Sequence, residues 1–200
     1  MNSLPDEHLR IRPPSKGPGH RSLLASWSCW LVLLAFGVMP LHADVAKEDQ
    51  LKAAFLYNFT KFVEWSPGRF ADEASPIVIG VFGANPFGDE LAAVVTGRTV
   101  NGRPITVMLL TNAEEARSAH VVFVDATSEA RLGELIAVSR EAGVLTVGES
   151  PEFAARGGII NFTIEGDKVR FEINQAAGER AGLRISAQLL KLAKVVRRKN

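Results

Sequence analysis

Few residues of this chain could perform acid–base or nucleophilic chemistry. Three of its four histidines lie within residues 1–43, and the fourth, His120, opens an apolar run. Asp125 and Glu149 each follow a predicted strand, and two carboxylates across a cleft could serve a glycoside hydrolase. For both carboxylates a strand-end or turn role is the favoured interpretation, and for His120 a structural role. A hydrolase is therefore a minor alternative.

Common catalytic and nucleotide-binding motifs are missing from the sequence. It has no G-x-S-x-G elbow, no phosphate-binding loop and no H-E-x-x-H pair, and its glycines near residue 83 lack dinucleotide-binding spacing. Asn85 is predicted to cap a helix with Pro86 at its first position. An anion could bind at that helix terminus, although simple turn chemistry is the favoured interpretation.

The amino-terminal segment has the composition of a secretory signal peptide. Basic residues precede an apolar run from Trp27 to Met39, which Pro40 ends, and Ala43 then offers a small residue at a cleavage point. The run is shorter than the roughly twenty residues that cross a bilayer as a helix. The sequence predicts a leader over residues 1–43, cleaved near Ala43, and one domain over residues 44–200. An uncleaved membrane anchor is the alternative.

Loss of the leader would change the inventory of reactive groups. Cys29, the only cysteine, would leave with it, and the remaining chain would carry a net charge of −1 instead of +1. A domain without cysteine forms no disulfide and no cysteine-ligated zinc site. The balanced charge argues against nucleic acid as a partner. We therefore predict no metal and no cofactor.

Strand patterns alternate with helical patterns along most of the domain. The predicted strands are 77–82, 105–110, 120–125 and 144–148, followed by a hairpin over 159–164 and 168–173. The predicted helices are 45–65, 86–95, 113–117, 128–142, 151–155 and 186–196. This alternation predicts a single α/β domain with a largely parallel, Rossmann-like sheet, helices on both faces, and a carboxyl-terminal hairpin plus helix.

The helical pattern of residues 45–65 has a broad aromatic and apolar stripe. The bland interpretation is a helix buried deep against a sheet, and the alternative is contact of this face with another subunit or partner. Glu64 and Trp65 close the predicted helix. They are the best candidates for partner contact, because tryptophan is enriched at the energetic centres of interfaces. Core packing remains the favoured role of this face.

Three further positions are candidates for ligand contact. Arg184 lies in a short polar break, where its guanidinium could clamp a carboxylate or phosphate or form a surface ion pair. Asn174 can cap a helix that begins at Gln175. Gly157 and Gly158 precede a strand, where a helix end and a close backbone approach are favoured over ligand contact. Together with Asn85, Arg184 and Asn174 form the candidate ligand-binding set.

Three blocks of the sequence have the order and spacing of a known family. They are residues 52–65; residues 145–148 with Phe153 and 157–162; and residues 171–174 with 181–186 and 189–193. Together they resemble the YfiR-like family of periplasmic regulatory proteins, and the resemblance covers residues 47–196.

This resemblance implies a signalling protein rather than an enzyme. Characterised members are periplasmic repressors that hold a membrane-bound diguanylate cyclase inactive through its periplasmic domain, so that their loss raises cyclic-di-GMP and favours biofilm. It also implies a homodimer whose partner is the periplasmic domain of an inner-membrane signalling protein. The alternative is a periplasmic small-ligand binder or sensor acting with a histidine kinase or TonB-dependent receptor.

The chain departs from the family pattern at two places. Many relatives carry cysteines where Ala119 and Val144 stand here, so the disulfide gating proposed for relatives is closed to this chain. Ser66 also separates Trp65 from Pro67, where the family often has Trp-Pro. The tip of the first helix is therefore expected to sit differently.

Overall fold

The computed structural model describes residues 41–166 and 168–196. Cys29 and the predicted leader lie outside these residues, apart from the last three leader positions, which begin the first helix. Cleavage near Ala43 and a domain that starts at residue 44 stay predictions.

The described residues form five α-helices and ten strands. The helices are α1 (Leu41–Phe62), α2 (Glu90–Val95), α3 (Leu132–Ala142), α4 (Gln175–Arg180) and α5 (Ala187–Leu192). The strands are β1 (Val63–Glu64), β2 (Ile77–Phe82), β3 (Thr99–Val100), β4 (Arg103–Leu110), β5 (Val121–Val124), β6 (Leu145–Gly148), β7 (Ile160–Glu165), β8 (Lys168–Ile173), β9 (Arg184–Ile185) and β10 (Lys194–Val195). Short 3-10 helices cover Pro67–Arg69, Glu114–Ser118 and Ala126–Arg131.

One sheet contains eight of these strands, in the order β10-β8-β7-β6-β5-β2-β4-β3. Strands β4, β2, β5, β6 and β7 run parallel, whereas β8 is antiparallel to β7 and β3 to β4. The chain leaves β2 towards one side of the sheet and then returns to extend it towards the other. The predicted α/β fold, with its largely parallel sheet and its carboxyl-terminal hairpin plus helix, is confirmed.

Two hydrophobic cores cover the two faces of the sheet. On β2, Ile77 and Ile79 belong to the core under α1, while Val78 packs against the core under α3. Helix α1 is anchored by Phe59, whose ring centroid lies 5.9 Å from that of Phe162 and 5.2 Å from that of Phe171. The buried interpretation of the first helix is therefore confirmed.

The ends of the first and last helices differ from the prediction. Helix α1 stops at Phe62, because Val63–Glu64 instead pairs with Arg184–Ile185 as an antiparallel ribbon, β1–β9. The Ser186 N–H donates to the Phe62 carbonyl at 2.9 Å and extends this pairing. Helix α5 ends at Leu192, since the next residues add β10 beside β8. Both short strands depend on partners distant in sequence, which local periodicity does not reveal.

Two other predicted helices are also corrected. Asn85 does not cap α2, which begins five residues later at Glu90; its Oδ1 accepts the Phe87 N–H at 3.1 Å within a turn. The predicted helix over 151–155 is a series of turns, with Glu152 at φ 61°. The crossover from β6 to β7 is therefore covered by no helix of its own.

Candidate functional site

The β1–β9 ribbon brings together candidates that the sequence placed far apart. Glu64 and Arg184 are Cα partners across it, and both side chains are exposed. Trp65 follows β1 directly. The partner candidates and one ligand candidate therefore lie on one surface, which we call the ribbon surface (Glu64, Trp65 and Arg184). A cross-strand pair of opposite charge contributes only about 0.2–1 kcal/mol to stability. Glu64 and Arg184 can therefore exchange such a pairing for contacts with a partner at little cost.

Trp65 has both a packed and an accessible side. Its Nε1 donates to the His120 carbonyl at 3.1 Å, and its ring meets the His120 ring edge-on with centroids 5.9 Å apart. The side chain remains half-buried rather than fully enclosed. Trp65 thus fixes the ribbon to the amino end of β5, and contact between its accessible side and a partner stays a prediction.

His120 lies at the amino end of β5 and is buried. Its Nδ1 accepts the Val78 N–H at 3.2 Å, so the ring is neutral and carries its proton on Nε2. Burial, reinforced by the charge of Arg69, lowers the pKa of His120 to about 4. The ring stacks on Phe70 with the centroids 4.5 Å apart, and the Arg103 guanidinium lies 3.9 Å from the centroid of the Phe70 ring. These contacts give His120 a structural role.

The carboxyl ends of β2 and β5 are where folds of this topology open a ligand crevice. Here Asp125 turns back on its own loop, and its Oδ2 accepts the Thr127 N–H at 2.9 Å and the Thr127 hydroxyl. Gly83, at φ 98°, lies so close to Ser128 that a Cβ would overlap the serine hydroxyl. The crevice between these two strand ends is filled by the protein's own residues.

Glu149, the other carboxylate candidate, is held by a buried lysine. Lys52 on α1 places its Nζ 2.6 Å from both Glu149 and Glu48. Burial alone would lower the pKa of Lys52, but the hydrogen bonds to Glu149 and Glu48 outweigh it and raise this pKa. A cleft of about 410 Å³ adjoins this triad. Asp125 and Glu149 therefore have structural partners instead of the free geometry of a catalytic pair.

The three candidate ligand-binding residues do not converge. Asn85 is exposed at the carboxyl end of β2, whereas Asn174 lies at the opposite edge, where its N–H donates to the Ile159 carbonyl before β7. The buried Asn174 side chain accepts the Ala177 N–H at 3.0 Å and donates to the Ala154 carbonyl at 2.7 Å. Asn174 is therefore the cap of α4, and Arg184 stays a separate candidate on the ribbon surface.

Gly157 and Gly158 have structural roles in backbone conformation and packing. Gly157 has φ 109°, and a Cβ on Gly158 would overlap the ring of Phe153. A Cβ on Gly148 would overlap the same ring from the other side. The predicted close approach is confirmed for Gly158, although no helix ends there. Gly148 and Gly158, at the two ends of the crossover, thus leave space for Phe153. Phe153 packs into the core under α3, where the predicted helix is absent.

Sequence reasoning missed the part played by Lys52. Its spacing from Glu48 is a visible i, i+4 signal of a helical ion pair. Glu149 is 97 residues away, and no local pattern indicates that contact. Sequence also missed Arg69, whose guanidinium donates to the Arg117 and Ala119 carbonyls beside His120.

Within residues 41–166 and 168–196, no helix is long and apolar enough to span a bilayer. In the same part of the chain, no three metal-ligating side chains cluster as an ion site.

One solved structure supports the fold, and a second is reported beside it. A conserved domain protein from Vibrio cholerae O1 biovar El Tor is 12% identical with a TM-score of 0.51, covering 74% of this chain and 60% of that one. The chain thus spans about 60% of that relative's length. An ABC domain from Streptococcus pneumonia in complex with L-Trp is 12% identical with a TM-score of 0.44, covering 60% of this chain and 55% of that one.

Comparison with known sequences gives the family. No curated protein matched the sequence. The family model described as YfiR/HmsC-like matches residues 49–194, which include α1 from residue 49 onward, the eight strands of the sheet except the end of β10, and the β1–β9 ribbon. The chain therefore belongs to the YfiR/HmsC-like family.

Proposed function

We propose that this protein is a non-enzymatic periplasmic regulator that represses a membrane-bound signalling enzyme, foremost a diguanylate cyclase, and so lowers cyclic-di-GMP. The observation that carries this proposal is the family match over residues 49–194. The repressor acts by binding the periplasmic domain of its target and favouring the inactive state. Its effect is limited by the difference in its affinity for the two target states, typically about 1–3 kcal/mol.

The contacts that the candidate catalytic side chains make support a regulatory role. Glu149 forms an ion pair with Lys52, Asp125 accepts hydrogen bonds within its own turn, and His120, whose pKa is lowered, accepts a backbone N–H. Each of these groups already has a structural partner. A general acid or base must instead reach a substrate proton with a suitable pKa.

The ribbon surface is the contact that we propose for the target. It presents an acidic, an aromatic and a basic side chain together, at the point where α1 ends and the last third of the chain returns to it. Tryptophan and arginine are the residue types most enriched among interface hot spots. A homodimer, as in the family, is part of this proposal, since a dimer would present two such surfaces to a dimeric target.

The proposal is tested by cyclic-di-GMP in cells. Deleting the gene should raise cyclic-di-GMP, and the wild-type gene supplied in trans should restore it. Glu64→Lys and Arg184→Glu, both at exposed positions, should leave the protein folded and exported but fail to restore the level. Arg170→Glu makes the same charge reversal on the exposed hairpin and should restore it.

The outcomes separate the alternatives. Unchanged cyclic-di-GMP after deletion would remove the cyclase target and leave a sensor acting with a histidine kinase or TonB-dependent receptor. Full restoration by both ribbon variants would move the partner contact elsewhere on the molecule. Detection of the protein in the cytosol with its leader attached would overturn the periplasmic role.

A further inference from the structure

Residues 181–200 differ in charge from the rest of the chain. They contain six basic residues and no aspartate or glutamate. The basic residues are Arg184, Lys191, Lys194, Arg197, Arg198 and Lys199. The near-neutral charge of the whole chain therefore hides a local positive excess, and such segregated charge attracts a partner of the opposite sign.

Four exposed side chains of this stretch lie close together. Lys191 and Leu192 end α5, and Lys194 and Val195 form β10. Leu192 is 69% exposed and Val195 is 42% exposed, and both lysines are exposed as well. Their backbone lies within about 14 Å, because a chain advances at most about 3.6 Å per residue. We call these four residues, two cations and two apolar side chains, the basic patch.

The backbone of the basic patch is held in place while its side chains stay uncovered. Strand β10 pairs with β8 at the outer edge of the sheet, and the Val196 N–H donates to the Ile173 carbonyl at 2.8 Å. Leu189 of α5 is buried in the core under α1, whereas Leu192 belongs to neither of the two cores. The fold therefore presents the basic patch to its surroundings from a fixed backbone.

The lysines of the basic patch have no acidic partner in the described part of the chain. Neither Lys191 nor Lys194 forms an ion pair there. Glu172 is the Cα partner of Lys194 on β8, and its Oε1 instead accepts a hydrogen bond from Asn161 Nδ2 at 3.3 Å. The two positive charges are therefore available to a partner, and residues 197–199 add three more directly after them in the sequence.

An anionic lipid surface suits this combination of side chains better than other partners do. Cationic side chains bind the headgroup phosphates, while apolar side chains enter the boundary between headgroups and acyl chains. A second copy of the chain would bring like charges together across the contact. Nucleic acid would attract the lysines, but its phosphate backbone offers no apolar contact to Leu192 and Val195.

We propose that the basic patch binds the surface of an anionic phospholipid bilayer. Lys191 and Lys194 contact the headgroup phosphates, and Leu192 and Val195 enter the boundary with the acyl chains. The ribbon surface would then lie close to the membrane, because β9 ends only two residues before α5 begins. The lipid contact requires no signalling target, so its test does not depend on the proposed function.

Co-sedimentation with vesicles tests the proposal on residues 44–200. This part of the chain contains both hydrophobic cores in full and lacks the predicted leader, which could bind lipid by itself. It should sediment with phosphatidylcholine vesicles that contain phosphatidylglycerol, but not with vesicles of phosphatidylcholine alone. Because the attraction is largely electrostatic, the bound fraction should fall as salt is added.

One pair of variants tests the charge of the basic patch. Lys191→Gln combined with Lys194→Gln should weaken binding to the anionic vesicles roughly thirtyfold, since each cation contributes about fivefold, or about 1 kcal/mol, at such a surface. Arg98→Gln combined with Arg131→Gln removes the same charge at exposed positions elsewhere. The affinity of this control should stay within about twofold of the wild type, because its charges lie away from the contact.

A second pair tests the apolar contact. Leu192→Ser should weaken binding several-fold, because affinity scales with the apolar area buried in the lipid. Leu109 is 61% exposed on β4, at the other side of the sheet from β10, so Leu109→Ser is the matched control and should bind like the wild type. Both leucines are exposed, so both variants should keep the fold, as circular dichroism would verify.

Binding that is lost in the variants of the basic patch and kept in both controls supports the proposal. Equal sedimentation with neutral and anionic vesicles would overturn it, as would equal weakening by the control variants. Failure to bind anionic vesicles would overturn it too and leave an acidic protein as the partner. If Leu192→Ser lowered the oligomeric state in light scattering but kept full vesicle binding, the basic patch would be a contact between copies of the chain instead.

Discussion

The two edges of the parallel sheet differ in what their charged side chains contact. At the carboxyl edge Lys52 is held between Glu48 and Glu149, and Asp125 is bound by Thr127. At the amino edge Arg140, Arg156 and Arg180 line a cavity of about 150 Å³ beside β6 and β7, and all three side chains are exposed. Folds of this class bind ligands at the carboxyl edge. Here Asp125 and Ser128 occupy the space between the ends of β2 and β5, and a cleft of about 410 Å³ remains beside Lys52 and Glu149.

The crossover that joins the two edges should be the most sensitive segment. Gly158→Ala forces a Cβ into the Phe153 ring, which is fully buried and has no free volume to enter. We expect a loss of about 3 kcal/mol or more in the free energy of unfolding, measured by urea denaturation. The same substitution at Gly133, where a Cβ meets no atom within 4 Å, should stabilise helix α3 by about 0.5–1 kcal/mol.

A second variant checks the physical cause of that loss. Adding Phe153→Leu to Gly158→Ala reduces the ring to a smaller side chain and should recover part of the stability. If Gly158→Ala were as harmless as Gly133→Ala, Phe153 would not be fixed between the ends of the crossover.

Removing Lys52 at the carboxyl edge of the sheet should lower the stability of the protein. Lys52→Met leaves Glu149 and Glu48 close together without their shared cation, and breaking such a pair costs about 2–4 kcal/mol when it is largely buried. For a domain of this size that corresponds to a fall in Tm of roughly 5–15 °C, measured by calorimetry. Lys47→Met, at an exposed position on the same helix, should change Tm little.

A double variant distinguishes lost pairing from lost packing. Glu149→Gln in the Lys52→Met background removes the unpaired charge and should restore part of the Tm. If the double variant were no more stable than Lys52→Met alone, the lysine would act through its aliphatic stem rather than through its charge.

The amino edge should respond to acid through His120. Its pKa of about 4 lies below the value of an exposed histidine, so the unfolded chain takes up a proton more readily. The contribution of His120 to the free energy of unfolding is therefore complete above pH 6.5, and it is lost as the pH falls towards 4. Between pH 7.5 and pH 5 this amounts to about 1–2 kcal/mol, allowing for screening by solvent.

The control is a variant that cannot titrate. His120→Asn can accept the Val78 N–H but gains no proton in this range. The stability difference between wild type and His120→Asn should shrink or reverse on acidification, as urea titrations at the two pH values would reveal. A difference that is constant with pH would mean that His120 has an ordinary pKa.

Sequence predicted most of the fold, because the signals it uses are local. The runs at β2 and β5 are continuously apolar, as is typical of strands that are buried on both faces. The ribbon and β10 were missed, since two-residue strands have no periodicity and exist only through distant partners. The three ligand candidates lie apart, and no local pattern of the sequence reveals the distances between them.

The candidate sites were less predictable than the fold. Asn174 could be predicted as a helix cap from the sequence, because its side chain accepts the N–H of Ala177, which is only three residues along the chain. The Lys52–Glu149 pair, the His120 stack and the arginine-lined cavity each join segments from different parts of the chain. Residue type alone gave no reason to group Arg140 with Arg156 and Arg180.

The smallest expected effect separates an exposed positive charge from a buried one. Arg140 is exposed, so Arg140→Gln should cost less than about 1 kcal/mol, mainly the loss of a favourable contact with the end of α3. Lys52→Met should cost several times more, although both variants remove one positive charge. Comparing the urea midpoints of the two variants measures this contrast directly. If Arg140→Gln destabilised the protein as much as Lys52→Met, Arg140 would be part of the fold's own framework, and the two edges would not differ in kind.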